Sequence, residues 1–214
     1  MKKNKKILII TSIIILLVAA IAIASILYVN SQKGENQEEG KSLLNDLYSN
    51  LEEKEKYSFS ATLDENNKIE YAKNGNEAYI YEKNEYMESK KIVKDGNTYL
   101  LVDSNKAVYT YQNNESELNK ILLQIEEIKD KEFVTGKEKI DKKEYTYQEY
   151  KDTTEFMLAT LDEIQETKTI FYFNKNKLVY IKNISGDYEE LLKIEIKDKV
   201  DSNLFNIPND YEKK

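Results

Sequence analysis

An uninterrupted apolar run near the amino terminus constrains this chain more than any other feature. Residues 7–29 contain no charged side chain and are mostly Ile, Leu, Val and Ala. As a helix rising ~1.5 Å per residue, the run would extend about 34 Å, enough to cross a hydrocarbon core of ~30 Å. Four Lys residues precede it within residues 1–6, and basic residues beside a span remain in the cytoplasm. The pattern predicts a single-pass anchor in the cell membrane, with a cytoplasmic amino terminus and an extracellular carboxy-terminal domain.

A cleaved signal peptide is the alternative interpretation of the same run. Ala20, Ala22 and Ala24 form two small-x-small patterns like those at signal-peptide cleavage sites. The apolar run nevertheless continues to Val29, and it is longer than the ~7–15 apolar residues of a signal peptide. We therefore expect an uncleaved signal-anchor, although the domain would be exported under either interpretation. A lipoprotein is excluded because the chain has no Cys to carry the lipid.

The residue types that are missing narrow the chemistry open to the exported part. The sequence has no His and no Cys, so it lacks an imidazole base, a thiolate nucleophile and the usual zinc ligands. Asp and Glu are abundant, but no spacing marks a carboxylate pair held in a pocket. We therefore expect no enzyme, no cofactor and no metal site, with a carboxylate hydrolase left as an alternative.

The charge of the exported part argues against one class of partner. The whole chain carries a net charge of −7, and taking away the four Lys before the span leaves −11 outside the membrane. Binding to nucleic acid needs concentrated positive charge to neutralise phosphates. We expect no nucleic acid partner.

Hydrophobic periodicity divides the exported part into a linker and one domain. Residues 30–41 are polar, which predicts a flexible linker. Residues 42–56 and 115–131 place Leu and Ile at helical spacing, whereas most of the domain at 42–214 alternates apolar and polar side chains as half-buried strands do. Strands are predicted at residues 57–63, 68–73, 77–82, 86–94, 98–103, 107–111, 132–140, 144–151, 169–173, 177–184 and 189–197, with a further helix at 153–165.

The connections between these strands predict their pairing. Turn residues such as Asn74-Gly75 and Asp95-Gly96 separate successive strands closely, which favours antiparallel hairpins. A sheet of this many strands is too long to stay flat. The predicted fold class is therefore α+β: a highly curved antiparallel sheet, or unclosed β-barrel, with helices on its concave face and one N-terminal transmembrane helix before it.

Three segments near the carboxy terminus carry motifs that point to a family. Residues 201–211 (DSNLFNIPNDY) are similar to a closing D-x-x-L-F-x-I-P-x-x-Y pattern, and residues 144–150 (EYTYQEY) and 171–182 are similar to paired strands rich in Tyr. With the order helix, meander, helix, strands, they resemble the LolA-like (outer-membrane lipoprotein carrier-like) superfamily, as a Gram-positive membrane-anchored member. The resemblance implies an apolar half-barrel cavity and lipid binding in the cell envelope, and a tethered chain suits a sensor or fixed acceptor.

The predicted function is an extracytoplasmic, membrane-tethered, non-enzymatic binding or sensing module. It would hold a lipid or a partner protein in a cavity between the second helix and the sheet. The strand around Leu101 is apolar on both faces, so the sequence leaves open which face points inward. The alternative is a structural or assembly protein of the cell envelope with a filled core and no ligand. The candidate cavity-lining residues are Phe59, Tyr79, Tyr81, Tyr99, Leu101, Leu118, Leu122 and Ile125.

Protease added to intact wall-less cells is expected to digest the domain at 42–214 while a tag placed before Met1 survives. The reason is that the anchor leaves the amino terminus inside and the domain outside. Immunoblotting for the tag detects the protected fragment. Recovery of a soluble mature protein beginning at Ser25 would contradict the anchor and leave the export prediction standing.

Overall fold

The computed structural model describes residues 42–112, 115–151 and 167–214. The predicted anchor and linker, which precede residue 42, and the predicted helix at 153–165 lie outside these ranges. Over the ranges that are described, no helix has both the length and the apolar character needed to cross a membrane.

The described residues form twelve strands in a single sheet. Its spatial order is β12-β6-β5-β4-β3-β2-β1-β11-β10-β9-β8-β7, so two meanders meet where β1 pairs with β11. Every neighbouring pair is antiparallel except β12 with β6, and the eleven strands predicted from alternation are confirmed with their ends within two residues. The strands are β1 (Lys56–Thr62), β2 (Lys68–Asn74), β3 (Glu77–Lys83), β4 (Glu88–Lys94), β5 (Asn97–Val102), β6 (Ala107–Gln112), β7 (Phe133–Ile140), β8 (Lys143–Lys151), β9 (Thr167–Asn174), β10 (Lys177–Ser185), β11 (Tyr188–Lys197) and β12 (Glu212–Lys213).

Two-residue turns keep the hairpins tight. Between β4 and β5, Asp95 and Gly96 both have positive φ (50° and 73°), the conformation of the turn whose twist matches antiparallel strands. The β7–β8 turn uses the same conformation at Asp141 and Lys142 (φ 49° and 68°). The Asp-Gly signal in the sequence therefore identified the first of these turns, whereas no glycine marked the second.

Helix α1 spans Leu43–Glu52. Ser42 caps its first turn, since the Ser42 hydroxyl accepts a hydrogen bond from the Asn45 amide at 3.1 Å. Leu44, Leu47 and Leu51 are buried along one side, as their spacing predicted. The helix ends four residues before the predicted limit because the chain must turn to enter β1.

The second predicted helix is broken into two pieces. Helix α2 covers Glu115–Leu118 and helix α3 covers Lys120–Lys129. At the break, the Tyr71 hydroxyl donates a hydrogen bond to the Leu118 carbonyl and the Lys73 ammonium to the Asn119 side chain at 3.2 Å. Side chains of β2 thus bind the Leu118 carbonyl and the Asn119 side chain. Contacts between residues this far apart in the chain cannot be read from hydrophobic periodicity.

One face of the sheet, called here the inner face, packs against the helices. A single buried cluster contains residues of α1, α3 and eight consecutive strands, from β4 through β1 and β11 to β8. Eight flat strands would be roughly 34 Å wide at ~4.8 Å each, whereas two adjacent helices cover only ~20 Å. The strands therefore curve around the helices, which lie on the concave side. The predicted open, curved antiparallel sheet is confirmed.

The carboxy-terminal segment, residues 198–214, packs on the opposite or outer face. Its 3-10 helix at Ser202–Phe205 contacts β3 and β4, and Phe205 is buried. Ile207 and Tyr211 then pack against a small buried cluster on β4, β5 and β6. The residues of the closing motif therefore attach the end of the chain to the sheet.

The packing of the edge strand β7 against β8 can be tested at a glycine of β7. Gly136 pairs with Tyr147 on β8, and a Cβ added at Gly136 would lie 2.6 Å from the Tyr147 hydroxyl oxygen. Gly136→Ala is expected to lower the free energy of unfolding by ~1–3 kcal/mol, because the ring must move. In a Tyr147→Ala background the same change should be neutral or stabilising, since alanine restricts the unfolded chain. Urea unfolding of the four variants measures the coupling, and additive effects would contradict this packing.

Candidate functional site

The space between the helices and the sheet is where the sequence predicted a cavity. Phe59 on β1 and Leu122 and Ile125 on α3 meet there in one buried cluster. Leu118 on α2 is only partly buried and packs against the edge of that cluster. The structure thus brings these four predicted residues together, and they form part of a continuous apolar packing that also includes α1.

Three tyrosine side chains are buried within this packing. Tyr57 and Tyr71 are almost fully buried, with ring centroids 5.7 Å apart. Burial raises the pKa of Tyr57 to about 12 and raises that of Tyr71 further, because an apolar environment disfavours the charged phenolate. On the other side of the sheet centre, burial also raises the pKa of Tyr150 to about 12. All three rings belong to the buried apolar cluster under the helices.

The other four predicted residues lie on the outer face. Phe59 lies opposite Tyr71, and Tyr71 opposite Ile80, so Tyr79 and Tyr81, which flank Ile80, point the other way. The predicted grouping of all eight residues around one cavity is therefore corrected: Tyr79, Tyr99 and Leu101 pack with the carboxy-terminal segment, and Tyr81 contacts Lys68 and Lys90. The physical reason is that successive side chains of a strand point to opposite faces of the sheet. An error about which face is inward therefore reverses the assignment of every residue on that strand.

Among the described residues, the helices do not cover the inner face along its whole width. Strands β5 and β6 contribute no residue to the cluster under the helices. Leu100 on β5 lies opposite Tyr109 on β6 and next to Lys91 on β4, which places both residues on the inner face. Tyr109 and Tyr111 are 37% and 53% exposed. Leu100, Tyr109 and Tyr111 are called here the open inner patch.

Two hydroxyl groups lie in the wall beside this patch. The Thr98 side chain pairs across the strands with Tyr111, and Ser89 lies on the neighbouring strand β4. The oxygen atoms of both side chains are buried and make no hydrogen bond. A buried hydroxyl without a partner is costly. The two hydroxyls lie roughly 13 Å apart, because Ser89 is four residues along β4 from Val93, the partner of Thr98.

A buried polar pair on the inner face was missed by the sequence analysis. The Asn183 amide on β10 donates a hydrogen bond to the Glu190 carboxylate on β11 at 2.6 Å, and the Tyr188 hydroxyl donates to the same carboxylate at 3.2 Å. The signal that could have found the pair is their placement on facing strands of the hairpin that turns at Gly186. Within the described ranges, no group of three His, Cys, Asp or Glu side chains could hold a metal ion.

No protein-family model matches the sequence, and no curated protein is detectably similar. An uncharacterized conserved protein from Thermus thermophilus is similar in structure, with a TM-score of 0.47, 5% identity, and coverage of 80% of this chain and 96% of that one. The Mycobacterium tuberculosis lipoprotein LppX gives a TM-score of 0.39 and 11% identity, covering 75% of this chain and 97% of its own. Both TM-scores are below 0.5, so neither likeness supports an argument about function.

Packing under the helices can be tested at two adjacent positions of α3. Leu122→Trp is expected to lower the free energy of unfolding by ~1–3 kcal/mol, because Leu122 is buried in a filled core that must be overpacked. Leu123, which is 39% exposed, is the matched control, and Leu123→Trp should change stability by less than ~0.5 kcal/mol. Thermal and urea unfolding followed by circular dichroism measure both. An unchanged stability for Leu122→Trp would instead reveal empty space beneath α3.

Proposed function

We propose that this protein is a non-enzymatic binding module held outside the cytoplasmic membrane, and that it binds an acyl chain or similar lipid on the open inner patch. The observation that carries the proposal is the incomplete cover of the concave face. Under the helices this face is buried, whereas Tyr109 and Tyr111 on the same face are exposed and Leu100 is half-buried. The proposed site therefore lies beside the core and not within it.

The chemistry of the patch favours an amphipathic ligand. One Leu and two Tyr side chains offer apolar area with hydroxyl groups at its margin, a combination suited to a surface that is half wet. The Tyr109 and Tyr111 hydroxyl groups are the ones that could bind the polar end of such a ligand. Recognition by a mainly apolar wall with a few polar groups is typical of small-molecule sites.

The architecture is consistent with the LolA-like resemblance of the sequence. An open curved sheet with helices on its concave face is what that resemblance implies, and the closing motif at residues 201–211 here attaches the chain end to the sheet. A domain tethered by residues 7–29 would stay at the membrane. We therefore favour a fixed acceptor or sensor of lipid, in a Gram-positive envelope, over a carrier that diffuses.

A structural or assembly role without a ligand is the second candidate. The observation in its favour is the filled core, in which Leu44, Leu51, Ile121 and Ile125 are fully or almost fully buried. A module that holds other envelope proteins in place could also use an exposed apolar patch, since such patches mark protein interaction surfaces as well as ligand sites. Labelling by a lipid therefore distinguishes the two candidates.

Photo-crosslinking of the full-length chain tests the proposal. Cells that produce it are fed a fatty acid carrying a diazirine, irradiated, and the labelled peptides are identified by mass spectrometry. We expect label on the peptide that contains Tyr109 and Tyr111. The variant Tyr111→Asp should lose most of that label, because an acyl chain packed on the patch would have to displace water from the new carboxylate. Tyr86→Asp is the control, since Tyr86 is 85% exposed outside the patch.

Two outcomes would count against lipid binding. Label confined to the membrane segment at 7–29 would show that the domain does not bind acyl chains and would favour the structural role. Equal loss of label in Tyr111→Asp and Tyr86→Asp would show that surface charge, and not the patch, controls labelling.

A further inference from the structure

A half-open groove crosses the outer face of the sheet, on the side away from the open inner patch. It has a volume of about 320 Å³, at the lower end of the ~300–1,000 Å³ typical of ligand pockets. It lies over β1 and β2, between the carboxy-terminal segment and β11. The side chains that define it belong to Ser58, Ser60, Ala72, Tyr79, Glu195 and Leu204.

Small side chains form the floor of this groove. Ser58 lies between Ala72 on β2 and Lys197 on β11, so the first row across the three strands has small side chains at Ala72 and Ser58 and a lysine on the β11 side. In the next row, Ser60 lies between Glu70 on β2 and Glu195 on β11. With strands ~4.8 Å apart, the two carboxyl-bearing residues are separated by roughly 10 Å across a serine. The groove thus has a hydroxyl-lined floor with a carboxylate on each side.

One wall of the groove is apolar and is built by the carboxy-terminal segment. Leu204 of the 3-10 helix and Tyr79 of β3 line this side, and Tyr79 is held by packing with the tail residues Ile207 and Tyr211. The Ser58 hydroxyl donates a hydrogen bond to the Lys199 carbonyl at 3.4 Å, which fixes the start of the segment at the groove. The wall is therefore preformed.

The charges along the groove are already balanced. Glu70 forms an ion pair with Lys68 at 3.0 Å, and Glu195 forms one with Lys197 at 2.9 Å. A groove whose carboxylates are neutralised by their own neighbours offers little attraction to a cationic or an anionic ligand. The groove still presents hydrogen-bond acceptors, hydrogen-bond donors and hydroxyl groups at fixed positions. Serine and paired charges also make a poor surface for an acyl chain.

We propose that this groove binds an uncharged glycan. Sugar hydroxyls both donate and accept hydrogen bonds, and the floor and the paired charges supply partners of both kinds. The apolar faces of a sugar ring can pack on Tyr79 and Leu204. The phenol of Tyr79 is protonated at neutral pH, as tyrosine ordinarily is, and burial raises its pKa further, to about 12. An exported domain would meet such polymers in the cell envelope.

Titration calorimetry with full-length protein in detergent tests this site, with a β-1,4-linked N-acetylglucosamine hexamer as the probe. Ser60→Trp is expected to weaken binding at least tenfold, because the indole fills the groove between Glu70 and Glu195. Thr62→Trp is the matched control: Thr62 is on the same strand and face but outside the groove, and the variant should bind within about twofold of the parent. Tyr79→Leu should weaken binding several-fold by removing the ring and its hydroxyl.

The proposal is overturned if the parent fails to bind the hexamer at millimolar concentration, or if Ser60→Trp binds it as well as Thr62→Trp does. Binding of an oligolysine peptide that is lost in Glu70→Gln would also overturn it, by showing that the groove recognises cations. Circular dichroism confirms that each variant is folded. If Ser60→Trp unfolds, Ser60→Gln carries the same expectation with a smaller side chain.

Discussion

The antiparallel pairing of β1 with β11 is the contact on which the rest of the structure depends. It joins the meander β1–β6 to the meander β7–β11, which would otherwise be two separate sheets. The register sets Phe59 opposite Ile196 and Ala61 opposite Ile194, so apolar side chains from the two ends of the domain share one face. A contact this distant in sequence must be formed against the entropy of closing a long loop. The apolar cluster beneath α1 and α3 stabilises it.

That single register decides which face of every strand points to the helices. Among the described residues, the inner face forms a buried core across eight strands, and β5 and β6 contribute no residue to that core. The outer face receives the carboxy-terminal segment, whose Phe205, Ile207 and Tyr211 cover β3 to β6. The two candidate binding surfaces therefore lie beside the elements that cover the sheet, which are the helices on the inner face and the carboxy-terminal segment on the outer face. The two surfaces differ in chemistry, since the inner patch is aromatic and apolar while the outer groove is polar and charge-balanced.

Sequence patterns predicted the elements of this fold well and their relations less well. Alternation located the strands because a half-buried strand imposes a period of two on its side chains. The same period explains why Phe59 was placed beside Tyr79 and Tyr81: a strand with apolar residues on both faces carries no local sign of which face is inward. The break at Asn119 was not predicted, and the Tyr71 and Lys73 side chains that bind polar groups there belong to a distant strand. The closing motif was recognised, but its packing on the outer face was not.

By itself, the sequence determined the chemical limits of this protein and its local structure. The absence of His and Cys excludes whole classes of site, and hydrophobic periodicity specifies helices and strands because it depends only on neighbouring residues. Tertiary structure alone decided the filled core, the open inner patch and the groove floored by Ser58 and Ser60. Each of these depends on which strands are neighbours, and strand pairing is a property of residues far apart in the chain. The buried pair Asn183 and Glu190 belongs to the same category, since two polar residues become one hydrogen-bonded unit only when β10 and β11 lie side by side.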